Sequence, residues 1–314
     1  MKTKVRTIEQ TRFEQITKIE RSRLRKKLRN NPENKGEKVR TIKRSDQIKF
    51  AQLCATGTID EIIAGLPMLD NGKTAASTWG WGVERFRQFL ITGVPCTDVF
   101  NLKGNSKLPF ACFSTLPGVT CPGAGECLSL MYCYSFKAHR YPGAFFAQCQ
   151  NTVLLRFNKE LVKHEFLKLQ AGIEVRLYVD GDINSIETLS FWFGLCNFRT
   201  DLKIYGYSKS WDIFLQWEDK GLRFPSNYIL NLSSGSKYGD AYKKRMTSLS
   251  CTRGEFIAID TKGDKSRAAI TREAKAQGLG KVFPCPGDCG NCTSDGHACG
   301  SERFNGVTIA IGIH

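Results

Sequence analysis

The stretch 174-EVRLYVDGD-182 decides the fold. It reads as a strand, Glu174–Val179, running into the polar loop Asp180-Gly181-Asp182, with a helix over 185–199 next. The same order recurs along the chain. Strands are expected at Asp98–Leu102, Glu174–Val179, Leu202–Tyr207, Asn227–Leu232, Glu255–Ile259, Gly280–Phe283 and Val307–Gly312. Helices suit the segments near 144–170, 185–199, 211–219, 239–250 and 266–278. Strand–helix alternation repeated this often predicts a mainly parallel α/β sheet, open or closed into a barrel. The expected fold is therefore α/β: a parallel β/α barrel or partial barrel, with an N-terminal basic helical arm and a C-terminal cysteine-rich metal knot.

Polar residues follow at least five of these strands. Besides Asp180-Gly181-Asp182 there are Ser208-Lys209-Ser210, Ser233-Ser234-Gly235-Ser236, Asp260-Thr261-Lys262 and Pro284-Cys285. The carboxyl edge of a parallel sheet is where such folds bind ligands. Asp180 and Asp182 suit magnesium or a ligand amine, or else cap the helix starting near Asn184. Lys209 suits a carboxylate or phosphate partner, or plain solvent. His139-Arg140-Tyr141 either closes over a ligand or packs Tyr141 into the core.

Thirteen cysteines are many for a reducing compartment, where stable disulfides are rare. Six of them (Cys54, Cys96, Cys112, Cys149, Cys196, Cys251) lie among apolar neighbours and read as small buried hydrophobes. The other seven form two groups. Cys121, Cys127 and Cys133 are spaced C-x5-C-x5-C around Pro122, Gly123 and Gly125, which supply a bend. Three thiolate ligands leave a fourth position open, as a catalytic metal or cluster needs. Cys285, Cys289, Cys292 and Cys299 are spaced C-x3-C-x2-C-x6-C and form a complete ligand set for structural zinc or a second cluster. His297 is either an alternative zinc ligand or an exposed residue.

Upstream, residues 8–29 read as a basic amphipathic helix carrying Phe13, Ile16, Ile19, Leu24 and Leu28, and 30–38 as a linker. Thr58 and Glu61 have capping-box spacing, and 83–91 suits a short helix. The division expected is 1–44 for the arm and linker, 45–97 for a helical segment and 98–314 for the β/α domain. Residues 1–50 carry net +11 of the chain's +16, which attracts polyanions. Nucleic acid is the partner expected there; an unpartnered solvated arm and an anionic membrane surface are the alternatives.

Several classes are excluded. No apolar run approaches the roughly 18 residues of a membrane span, and MKTKVRTIEQ has charges where a signal peptide has an apolar core, so a cytoplasmic protein is expected. Four histidines without a His-x-His pair exclude a histidine-rich zinc site. G-x-x-x-x-G-K-[ST] and G-x-S-x-G are both missing, which excludes P-loop hydrolysis and the serine-hydrolase elbow.

CPGAGEC, CYSFKAHRYP, QNT, VRLYVDGDINS, IYGYSKS and the late cysteine group before a final strand ending in His314 together resemble a family of phage and plasmid proteins named after a mycobacteriophage gene product 88. The resemblance covers residues 98–314. Tyr132-Cys133-Tyr134 and the β/α pattern are also distantly similar to the phage branch of radical S-adenosylmethionine (SAM) proteins, although C-x5-C-x5-C departs from their C-x3-C-x2-C. That likeness implies a [4Fe–4S] cluster on Cys121, Cys127 and Cys133, with Tyr132 beside it. It implies SAM as a cofactor, with Asp180 and Ser208 on the cofactor and Asp180, Asp182 and Lys209 as catalytic residues. The function expected is an iron–sulfur, radical SAM-like enzyme with a nucleic-acid-binding arm. The alternatives are a non-catalytic metal-stabilised nucleic-acid-binding protein of phage or plasmid replication or regulation, and a metal-dependent nuclease using the Asp pair.

Overall fold

The computed structural model describes residues 42–69, 78–102, 110–129, 133–287, 292–293 and 297–313. The arm helix, the 30–38 linker, Tyr132, Cys289 and His314 lie outside these residues.

Three helices lead in: α1 (Arg44–Thr56), α2 (Ile59–Gly65) and α3 (Thr78–Thr92). The capping box at α2 forms as its spacing predicts. The Thr58 hydroxyl accepts from the Glu61 amide, and the Glu61 carboxylate accepts from the Thr58 amide. The expected helix at 144–170 is two helices, α5 (Pro142–Phe157) and α6 (Lys159–Leu167). Asn158 breaks it, because its side chain accepts the Leu161 amide and starts a new helix. A single turn, α4 (Glu126–Ser129), lies within the first cysteine loop. Downstream run α7 (Ile186–Phe198), α8 (Trp211–Asp219), α9 (Asp240–Ser248) and α10 (Arg267–Ala276).

Between them lie β1 (Ala111–Cys112), β2 (Glu174–Leu177), β3 (Lys203–Ser208), β4 (Tyr228–Ser233), β5 (Thr252–Ile259), β6 (Val282–Pro284) and β7 (Thr308–Gly312). They form one sheet in the order β1-β2-β3-β4-β5-β7-β6, with every pairing parallel. Six strands fall where the sequence places them. The first does not: Asn101 makes only an isolated antiparallel bridge to Cys112, and the parallel strand begins ten residues later at Ala111.

Of the forms expected for the sheet, open or closed into a barrel, no closure is seen among the described residues. β1 and β6 stand at opposite ends of the strand order, and no pairing joins them among the described residues. Side-chain alternation gives the sheet two faces. Val175, Leu177, Ile204, Leu230 and Leu232 pack on the helices, against Trp192, Phe193, Phe214 and Met246. Burying each such side chain contributes about 1.5–3 kcal/mol. The opposite face, which would be the interior of a closed barrel, carries Tyr205, Tyr207, Ile229, Phe256 and Ile309. Ala298, Cys299 and Phe304 cover it. Among the described residues no helix is long and apolar enough to cross a membrane.

Candidate metal centre at the carboxyl edge of the sheet

All seven strands are parallel, so their carboxyl ends share one edge. The loop between β1 and α5 carries the first cysteine group there, and buried polar residues of α5 fix its start and the chain at 96–99 that precedes β1. Gln150 Oε1 accepts the amides of Cys96 at 2.7 Å and Thr97 at 2.9 Å. Asn151 Nδ2 donates to the carbonyls of Val99 and Ser114, and Thr152 Oγ1 accepts the Leu116 amide. The QNT tripeptide thus supplies hydrogen bonds to a buried irregular segment, where an unmatched amide costs about 1–3 kcal/mol.

Gly123 and Gly125 let this loop touch its neighbours. A Cβ on Gly123 would lie 1.8 Å from the Lys209 carbonyl oxygen, and one on Gly125 would lie 2.8 Å from the Lys237 nitrogen. Their role is close approach, since neither has the positive φ that the bend expected from the sequence would use. Hydrogen bonds complete the junction: Lys237 N to the Gly123 carbonyl at 2.9 Å, Gly125 N to the Gly235 carbonyl at 2.9 Å, and Ser236 Oγ to the Lys209 carbonyl at 2.8 Å. The loops after β1, β3 and β4 are one assembly.

The two aspartates part company. Gly181, at φ +79°, leaves no room for a side chain beside Thr115 and Thr120, and the chain turns there. Asp182 is buried; its Oδ2 accepts the Lys209 amide at 2.8 Å and its Oδ1 the Ile183 amide at 2.8 Å. Asp180 turns instead to Gln148, whose Nε2 donates to Oδ2 at 2.9 Å, and to Ser114 and Ser135. Burial raises both carboxyls above their ordinary range, against these hydrogen bonds. The two carboxylates take different partners. Asp182 does not cap α7, whose N-cap is Ser185. Ser208 is buried, accepts the Ser210 amide and bonds to Asp182, so its hydroxyl is committed to the loop.

Cys121 and Cys127 each lie within reach of the charges of Cys133, Asp182 and Lys209. Burial pushes Cys121 and Cys127 up, and the charges of Cys133 and Asp182 add to that; Lys209 works the other way on both. Lys209 Nζ donates to Ser233 Oγ at 2.6 Å, which keeps the ammonium at this spot. Among the described residues, no three His, Cys, Asp or Glu side chains are grouped closely enough to hold one metal ion. The three cysteines of a cubane cluster ligate separate irons, so their sulfurs stand farther apart than the ligands of a single ion. Cys121 and Cys127, with Cys133 and Lys209 in charge range of each, offer a donor set of that kind.

The sequence singles out the His139 segment but not the burial of that histidine, and it does not single out Tyr178. His139 is buried, with Nε2 3.2 Å from Gln148 Oε1. Gln148 donates to Asp180 through its amide nitrogen, so its oxygen accepts and the His139 proton sits on Nε2. Burial pushes His139 down to about 4. Tyr141, beside it, is 67% exposed and so belongs to neither the core nor a closed lid. Tyr178, the residue before Val179, has φ +55°, a strained conformation for an aromatic residue. Trp192 Nε1 donates to its hydroxyl at 2.8 Å. Tyr178 and Asp182 line a cavity of about 340 Å³, with Thr115, Thr152, Arg156 and Ser185 on its other walls.

The second cysteine group lies over the opposite face of the sheet. The complete knot expected there is not formed among the described residues, from which Cys289 is missing. Cys285 follows β6, its amide bonded to the Ala310 carbonyl at 2.7 Å, and the Cys299 carbonyl accepts from Asn231 Nδ2 at 3.0 Å. His297 is not exposed. Its Nδ1 faces Glu174 Oε2 at 3.2 Å and its ring lies against Phe110 and Tyr205. Of the six scattered cysteines, every one is buried, as its apolar surroundings imply.

A family model described as Gene product 88 matches residues 93–305. Comparison with curated proteins found no match, and comparison with solved structures found none either.

Proposed function

The chain belongs to the gene product 88 family, and we propose that it works as an iron–sulfur enzyme related in plan to radical SAM proteins. Cys121, Cys127 and Cys133 would hold the cluster at the carboxyl edge. One observation carries the reading: Cys121 and Cys127 each lie within range of the charges of Cys133, Lys209 and Asp182, in a loop whose glycines let it touch the loops after β3 and β4. A [4Fe–4S] cluster with an open iron would supply one-electron chemistry there.

The chain's own residues have separate tasks. Lys209 offsets thiolate charge, which burial alone would disfavour. Asp182 fixes the Lys209 main chain and faces the adjoining cavity, where a cofactor such as SAM, or a substrate, would lie. Asp180 serves as an anchor for Gln148 and the cysteine loop, and so is a positioning residue. The second group would take zinc or another cluster with a structural role. Residues 1–50 would bring nucleic acid by charge.

The test is electron paramagnetic resonance on the full chain, purified without oxygen and reduced. A cluster signal that changes when SAM is added supports the enzyme reading. A cluster signal indifferent to SAM would leave an iron–sulfur protein of another kind, and no signal with zinc bound at both groups would favour the non-catalytic alternative.

A further inference from the structure

Tyr178 breaks the alternation of its strand. Val175 and Leu177 face the helices, and Arg176 lies on the opposite face with its guanidinium 4.5 Å from the Tyr207 ring. By period two Tyr178 would follow Arg176, but at φ +55° it packs on the helical face with Leu177, against Phe113 and Trp192. Strain of that kind costs about 1–3 kcal/mol and gathers at ligand sites. Tyr178 is 4% exposed and lines the cavity of about 340 Å³. Trp192 Nε1 donates to its oxygen at 2.8 Å, while its own proton has no acceptor among the described residues.

The other deeply buried polar residues of the cavity are Thr115, Thr120, Thr152, Thr188 and Asp182. The threonine protons are used inside the protein. Thr120 donates to the Leu116 carbonyl and so accepts from Thr115, Thr152 donates to the Gln148 carbonyl, and Thr188 donates to Asn184 Oδ1. The side chains of the floor thus offer acceptor oxygens and a single donor, Tyr178. A ligand hydroxyl answers both, since it accepts and donates from one atom. A carboxylate or carbonyl would face those oxygens with no proton to give. Nearer solvent, the same cavity carries Arg156 and Lys159. Arg156 Nη1 donates to the Cys54 carbonyl at 2.8 Å, and no carboxylate is in ion-pair contact with either cation among the described residues. Glu187, at the same rim, is held by its own amide and by Ser185. Two such cations suit a phosphate. The space takes one small molecule, since ligand pockets run from about 300 to 1,000 Å³. We propose that the cavity binds a sugar phosphate, free or as part of a nucleotide, with its hydroxyls on Tyr178 and Asp182 and its phosphate on Arg156 and Lys159. This ligand class rests on the reading of the cavity beside Asp182 as the ligand site, and not on the cluster.

Isothermal titration calorimetry on the full chain tests it, with ribose 5-phosphate, AMP and SAM as probes. Ribose 5-phosphate should bind, and Tyr178→Phe should weaken it about 5–100-fold, because a buried ligand oxygen loses its donor. Arg156→Gln should weaken it about 10–100-fold, through loss of a charge-assisted bond. Lys159→Gln should cost about 3–10-fold, and it breaks no hydrogen bond of the folded chain among the described residues, so it decides if Arg156→Gln does not fold. AMP held more tightly than ribose 5-phosphate would make the ligand a nucleotide, and equal affinity a free sugar phosphate. Binding of neither compound, or affinities unchanged in Tyr178→Phe and Lys159→Gln, would overturn the proposal. SAM bound by the parent and weakened by Tyr178→Phe, with neither phosphate bound, would overturn the ligand class and leave the cavity as the site. SAM binding indifferent to Tyr178→Phe, again with neither phosphate bound, would remove the cavity reading as well.

Discussion

Asp182 Oδ2 accepts the Lys209 main-chain amide at 2.8 Å, so the loop after β2 and the loop after β3 are joined by a buried carboxylate. The bond fixes where the lysine side chain starts; Ser233 fixes where it ends. Replacing Asp182 by Ala leaves the amides of Ile183 and Lys209 unmatched in the interior. A loss of about 2–4 kcal/mol in denaturant unfolding is expected, and a smaller one for Asp182→Asn, which keeps one acceptor. Equal stability of all three proteins would contradict the joint.

Gly123→Ala places a methyl group 1.8 Å from the Lys209 carbonyl oxygen, and main chain on both sides must move. A cost of about 2–4 kcal/mol is expected, with loss of iron from the first group. Gly194 in α7 is the control. Nothing stands within 4 Å of its Cβ position, so Gly194→Ala should raise stability by about 0.5–1 kcal/mol, measured in the same assay.

His139 gives a pH dependence of known sign. Its folded value is about 4, against 6.5 for the ordinary group. Between those values the unfolded chain binds a proton that the folded chain does not, so stability falls as pH drops from about 6.5 to 4. His139→Gln should remove about 2–3 kcal/mol of that fall, read as the difference between the two proteins' unfolding free energies across the window. Parallel curves for the two proteins would show that His139 titrates normally.

The basic arm is tested by salt. Removing residues 1–41 should weaken binding to oligonucleotides of any sequence and flatten the slope of log affinity against log salt, with metal content unchanged. Identical slopes with and without the arm would assign its charge to something other than nucleic acid.

Much of the sheet was legible because strands β2 to β7 are apolar runs bounded by polar loops, a signal that survives without tertiary context. β1 was not. Val99 and Phe100 form the stronger apolar run, but they pack into the core as irregular chain against Phe113, Phe166 and Trp192, and the parallel strand is only two residues long. The gathering of polar loops at one edge was legible for a parallel sheet. The need for Gly123 and Gly125 was not, because it arises from main chain more than 80 residues away in sequence. Arg253 lies before the strand expected at Glu255–Ile259, and nothing in the sequence marks it or Asn231; only the segment folded over that face gives them a role.

Iron counting tests the central claim most directly. The full chain and its Cys121→Ser/Cys127→Ser/Cys133→Ser variant, reconstituted with iron and sulfide without oxygen, are analysed for both elements per chain. A cluster at the first group predicts about four irons and four sulfides fewer in the variant, with folding retained. The same iron and sulfide content in both proteins would contradict it.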